Sequence, residues 1–290
     1  MRRNFQAYEK ENRFISNHKG STPILNEEES SQLSRDLEND VYTKIKDIQA
    51  HILEKFKKKM SHTAIRIWLG KHEFSYKKPI LMPANIDKNA QEEHIKLYEQ
   101  IEKQASLNGE PVLFGDGVHP TSQTRPAYGW FKRKGGKIIE VKSGRKRVNI
   151  LGFHDLSTTA VYFQEYETIN GEAAIDALKF LESQYEKAKK IHLFLDNAGY
   201  FTCKEVKEFL KTSKIIVYYL PPRSPNLNPI ERLWKLMHAY ISNNKTYENF
   251  KDFKAALFDF LTHKVKTKEV MAEIVSMVTD NFTVMGNYAK

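Results

Sequence analysis

Two short apolar runs constrain the fold most: Ile191–Leu195, and a second at 214–220, with a helical stretch at Lys204–Leu210 between them. Runs of this length without polar alternation read as strands of a covered sheet. Upstream, further strands are expected at 112–115, 128–132, 137–141, 148–154 and 159–166, with the Gly135-Gly136 pair turning the second into the third. A long amphipathic helix over 171–189 carries Ala174, Leu178, Leu181 and Tyr185 in register. Antiparallel strands followed by strands alternating with helices predict an α/β domain with a mixed sheet. A helix from Ile230 to about Ser242 and two more helices close the chain.

The first third has a different rhythm. Residues 1–25 read as a tail or linker ending in Gly20-Ser21-Thr22-Pro23. Residues 26–83 read as a helical region. Asn26 is an N-cap followed by Glu27, Glu28 and Glu29, which suit a helix start. A second helix over 43–57 spaces Ile45, Ile48, Ile52 and Phe56 along one face, and Ser61 caps a third with Ile65, Trp68 and Leu69. Two short helices joined by a tight turn, the second bearing His62, Thr63 and Arg66, fit a helix-turn-helix that reads DNA. They fit an ordinary three-helix packing unit equally well. Residues 74–83, broken by two prolines, read as an extended crossing. Residues 84–109 read as a polar linker helix, which leaves 110–290 as the second domain.

Charge and cysteine usage narrow the function. The 290 residues carry a formal net charge of +10, which suggests a polyanionic partner. Cys203 is the only cysteine, so an intramolecular disulfide and a cysteine-rich zinc site are excluded, and a reducing compartment fits. No run reaches the length of a membrane span, and the opening residues do not resemble a secretory signal. A cytoplasmic, nucleoid-associated protein is expected. Residues 1–110 are nearly neutral, at +2, whereas residues 131–150 alone hold eight basic side chains against Glu140. Lys132, Arg133, Arg145, Lys146 and Arg147 belong to this arm. Tyr128, Trp130 and Phe131 lie beside it, a composition suited to phosphates and bases.

Three carboxylates stand out. Asp116 and Asp196 each follow an apolar strand, where α/β folds place ligand sites. Glu231 lies in the first turn of a helix after a Pro-rich loop. The intervals are 79 residues from Asp116 to Asp196 and 34 from Asp196 to Glu231. Each acid alone has an ordinary reading, Asp116 and Asp196 as turn caps and Glu231 as part of a capping box with Asn228. Together, and beside the basic arm, they point to a pair of hard divalent cations serving phosphoryl transfer. Asp155 is a weaker fourth acid. Asn197 and His119 are candidates for supporting positions around the acids.

The segments LFGDGVHPT (113–121), RPAYGW (125–130), SGRKRVNILGFHDL (143–156), IHLFLDNAGYF (191–201) and YYLPPRSPNLNPIERLWKLMH (218–238) resemble the DDE transposases of bacterial insertion sequences in the mariner superfamily. The resemblance covers about residues 20–265. It implies an RNase H-like mixed sheet flanked by helices, preceded by an all-α, winged-helix-like helix-turn-helix region. It implies that Asp116, Asp196 and Glu231 bind two Mg²⁺ or Mn²⁺ ions, and that the N-terminal helices bind the terminal inverted repeats. Strand transfer into target DNA, at a TA dinucleotide, follows by similarity. Arg223 is expected to join the arm in contacting DNA, and paired element ends imply a homodimer.

Members usually carry a further helix-turn-helix ahead of this one, and residues 1–25 are too short for it, so a shortened copy is expected. Gly117 stands where the family often has alanine. Two other readings remain at this stage. One is a DNA-binding remnant or regulator without transposition activity. The other is a restriction-nuclease-like endonuclease using Asp116 with Glu140-Val141-Lys142, a pattern that Glu205-Val206-Lys207 also satisfies.

Overall fold

The computed structural model describes residues 22–78, 86–130, 138–141 and 146–285, and the chain divides into two compact units, 1–80 and 81–290. In the first unit, α1 (Glu27–Asn39), α2 (Ile45–Phe56) and α3 (His62–Lys71) enclose Leu33, Ile48, Ile52, Met60, Ile65 and Trp68. Asn26 caps α1 in a full capping box with Glu29: each side chain takes the other's backbone N–H at 2.8 Å. Lys57 ends α2 in the left-handed region, at φ 57°. Ser61 Oγ then accepts the Ala64 N–H to start α3. Gln49 Nε2 donates to Met60 O at 2.6 Å, which ties α2 to the turn before α3. Among the described residues this unit contains helices only.

The second unit begins with α4 (Lys88–Asn108), capped by Asp87. This is the expected linker helix, but it belongs to the second compact unit. Tyr98, Ile101 and Ala105 are buried along it, because a helix that looks polar overall can still present a narrow apolar stripe. The sheet has the order β3-β2-β1-β4-β5, with β1 (Val112–Val118), β2 (Asn149–Asp155), β3 (Val161–Tyr166), β4 (Ile191–Leu195) and β5 (Ile215–Tyr219). β1 pairs antiparallel with β2 and β2 with β3, whereas β1–β4 and β4–β5 are parallel. The mixed sheet is therefore as expected. Two strands are not: Tyr128–Trp130 and Ile138–Val141 are not in strand conformation, and the residues between them lie outside the described set.

Side chains alternate between two cores. Phe114, Ile150 and Phe194 face α4, α8 (Ile230–Ile241), α9 (Phe250–Thr262) and α10 (Lys268–Met277). Leu113, Leu151, Phe153, Leu193 and Leu195 face α5 (Gly171–Gln184) and α7 (Lys204–Leu210), with the short α6 (Gly199–Thr202) between β4 and α7. A strand buried on both faces has no polar side to alternate with, which is why β4 is apolar except at His192, whose ring nitrogens pair with Tyr218 and Glu110. No helix among the described residues is long and apolar enough to cross a membrane.

Candidate active site

The strand register brings two of the acids together. Parallel pairing of β1 with β4 stops at Gly115–Leu195, so the next residue on each strand is Asp116 and Asp196. Asp116 does not follow its strand, as the sequence suggested. It sits inside β1, which continues to Val118 because Gly117 and Val118 still pair with Leu151 and Ile150 of β2. Glu231 approaches from the first turn of α8, where the helix dipole favours a carboxylate. Asp116, Asp196 and Glu231 line one cleft of about 360 Å³ with Asn197, Arg223, Ser224 and Asn228. Asp116 is buried, Asp196 half-buried, and Glu231 exposed at the mouth.

The electrostatics of the cleft are those of crowded like charges. Burial, then Glu231 and Asp196, push the Asp116 carboxyl up to about 8. Desolvation in the cleft and the Asp196 charge raise Glu231, and burial raises Asp196. Among the described residues, no three acidic, histidine or cysteine side chains already converge on one point as a metal cage. The acids share a cleft while their charges repel. The donors are nonetheless all oxygen, which is the set that hard divalent cations select. Asn228 adds to it: its Nδ2 donates to Gly115 O, and its buried Oδ1 has no partner.

Asn228 does not cap α8. Its side chain is turned to the β1 backbone, and α8 starts at Pro229 with no side-chain cap, so Glu231 is not held in a capping box. Asp196 accepts the Ala198 N–H at 3.2 Å through Oδ1, so it serves a turn while lining the cleft. Asp155 is a structural acid, accepting from Ser157, Thr158 and the Tyr185 hydroxyl.

The supporting candidates divide. Asn197 lines the cleft, but its Nδ2 donates to Leu220 O and so ties β4 to β5. His119 does not line it. Its Nδ1 pairs with Asn149 Oδ1 at 2.9 Å, which anchors the loop after β1 to β2. Arg223 lines the cleft and is exposed, with its backbone in the left-handed region at φ 60°. Lys146 and Arg147 are exposed where the arm rejoins the sheet, Arg147 bridging to Thr121. Lys132, Arg133 and Arg145 lie outside the described residues. Tyr128 and Trp130 are fully exposed. Glu140 is exposed and does not line the cleft, which removes the alternative acid of the nuclease-like pattern.

On α3, His62, Thr63, Arg66, Ile67, Gly70 and Lys71 are all exposed, and His62 Nε2 lies 3.2 Å from Gln49 Oε1. This face carries no acid.

Several groups at the site escaped sequence reasoning. Trp234 donates its indole N–H to Asp116 Oδ2 at 3.1 Å. The Tyr200 hydroxyl lies over Gly117, where an added Cβ would come within 2.5 Å of it, and Asp196 and Asp116 both raise its pKa after burial. Gln91 of α4, fully buried, donates to Ser224 and accepts from Asn226 and the Met285 N–H, fixing the Pro-rich loop from behind. Spacing alone carries none of these contacts. A larger depression of about 960 Å³ lies elsewhere, lined by Tyr98, Asp155, Tyr185 and Asp280. Within it Tyr98 donates to Asp280 and Tyr185 to Asp155.

Residues 111–254 match the family model described as DDE superfamily endonuclease, and residues 39–98 match that described as winged helix-turn helix. Among curated proteins, the chain is 28% identical over 135 residues to the insertion element IS630 uncharacterized 39 kDa protein of Shigella sonnei, covering 46% of this chain and 39% of that one. It is 35% identical over 65 residues to the transposable element Tc3 transposase of Caenorhabditis elegans, covering 22% of this chain and 20% of the relative. The matched stretches thus span less than half the length of these relatives. Among solved structures, the Mos1 transposase paired-end complex with left transposon end is similar at TM-score 0.65 and 18% identity, covering 96% of this chain and 83% of that chain. The Mos1 mariner paired end complex with Mn is similar at 0.64 and 17%, over the same shares. At such identities the likeness establishes the fold.

Proposed function

We propose that the protein is a transposase, from the premise that residues 111–254 match a DDE superfamily endonuclease and residues 39–98 a winged helix-turn helix. In this reading it cleaves DNA at the ends of its element and joins the freed 3′-hydroxyl to target DNA at a TA dinucleotide. The observation that carries the reading is the meeting of Asp116, Asp196 and Glu231, from two strands and one helix, in a single cleft.

These three carboxylates would hold two Mg²⁺ or Mn²⁺ ions, which when bound would supply Lewis-acid activation for an in-line phosphoryl displacement. The Mos1 complexes with Mn and with Mg lend support by fold likeness. Arg223, on the cleft wall, neutralises a phosphate of the bound strand. Lys146 and Arg147, with Lys132, Arg133 and Arg145 of the same arm, hold the flanking backbone. The exposed face of α3, with His62, Thr63 and Arg66, reads the terminal inverted repeats. Two ends must be held at once, so the working form is a homodimer.

The test is strand nicking of duplexes carrying the element ends, in Mg²⁺ or Mn²⁺, by wild type and by Asp196→Asn. Cleavage by wild type alone is expected. Equal activity in both refutes the assignment of Asp196, and no activity in wild type across a range of ends refutes the enzymatic reading. Light scattering that finds only monomer, with and without end DNA, refutes the dimer.

A further inference from the structure

Asp116 and Gly152 face one another across β1 and β2, and Gly152 has no side chain on the α8 side of the sheet. The Trp234 indole occupies that space. A Cβ on Gly152 would lie 2.5 Å from Trp234 Cη2 and 2.8 Å from Cζ2, so the ring can lie there only because residue 152 is glycine. From this seat Trp234 Nε1 reaches Asp116 Oδ2, in a hydrogen bond buried on both sides.

A carboxylate has two oxygens, and one donor fixed by a rigid, packed ring decides which way the pair faces. The indole engages Oδ2 while Asp116 lines the cleft with Asp196 and Glu231. We infer that Trp234, seated by Gly152, is a positioning residue that orients Asp116 for divalent cation binding. The inference rests on the metal-binding reading of the three acids. Partners that hold a metal ligand in place are typically worth about 10–100-fold in metal affinity. Trp234 also belongs to the hydrophobic core, a role that needs the ring and not its N–H.

The experiment separates the N–H from the ring. Full-length Trp234→Phe keeps an aromatic group and loses the donor. Gly152→Ala keeps the indole and pushes it off its seat. Mn²⁺ binding is measured by electron paramagnetic resonance and calorimetry, with Asp116→Asn as reference and thermal melts as a control for folding. Both variants are expected to bind Mn²⁺ about 10-fold or more weakly while still unfolding cooperatively.

A second readout uses the indole resonances of ¹⁵N-tryptophan-labelled protein, which has only Trp68, Trp130 and Trp234. Mg²⁺ is expected to shift the one signal that disappears in Trp234→Phe. If wild type binds Mn²⁺, Asp116→Asn does not, and Trp234→Phe matches wild type, the inference falls and the metal reading stands. A Trp234 signal that ignores Mg²⁺ while the ion binds also overturns it. If wild type fails to bind Mn²⁺, both fall together.

Discussion

Crowding of the acids makes Asp116→Asn a stabilising substitution with a defined pH signature. The wild-type carboxyl has its pKa pushed up to about 8, against an ordinary value of 3.8. An acid raised on folding binds more protons folded than unfolded, so its stabilising contribution is complete below the lower value and is lost as pH rises toward the upper one. Each pH unit of that window is worth about 1.4 kcal/mol. Between pH 5 and pH 8, the protein in EDTA therefore gives up about 4 kcal/mol through this single group.

Asparagine does not titrate and still offers an oxygen to the Trp234 N–H. The stability gap between variant and wild type should widen by about 4 kcal/mol over those three units, seen as a relative rise of about 8–16 °C in Tm for a unit of this size. Circular-dichroism melts at pH 5, 6.5 and 8 measure it. At pH 8, Mg²⁺ should raise the Tm of wild type and leave that of the variant unchanged, since a ligand stabilises only the state that binds it. A gap that stays constant with pH, or a wild type that ignores Mg²⁺, refutes the argument that the cleft is crowded with negative charge for the sake of a cation.

Other consequences are independent of that titration. Glu231→Gln should abolish end cleavage whereas Glu140→Gln leaves it intact, in a plasmid-nicking assay; the reverse result restores the nuclease-like pattern. Gly117→Ala places a methyl group against the Tyr200 hydroxyl and should cost about 1–3 kcal/mol in urea unfolding. Adding Tyr200→Phe should recover part of it, and no recovery places the clash elsewhere. Gln91→Leu strands the Met285 N–H and frees Ser224 and Asn226, so it should cost about 1–3 kcal/mol and slow cleavage through the loosened Pro-rich loop. An unchanged Tm and rate would show that α4 does not brace the site.

The legible parts of the chain were those where local chemistry decides. Asn26 with Glu29, and Ser61, marked helix starts because their side chains cap nearby backbone. Ile191–Leu195 was readable because a strand buried on both faces cannot alternate. The arm misled. Tyr128–Trp130 and Ile138–Val141 alternate well enough for strands, but a strand also needs a neighbour, and no alternation supplies one. Helix α4 misled for the opposite reason, since a few buried residues in a polar sequence suffice to dock it.

By itself, the sequence determined the mixed α/β class, the helical first unit and the concentration of charge in one arm, and it singled out three acids by their spacing as candidates. Tertiary structure decided what those acids face. Strand register set Asp116 beside Asp196, and the turning of Asn228 toward β1 left Glu231 out of a cap. Trp234, Gly152 and Tyr200 became part of the site only through packing. A hydrogen bond spanning 118 residues, or a glycine that exists to admit a ring from another element, depends on distances in space, and one-dimensional spacing does not encode them.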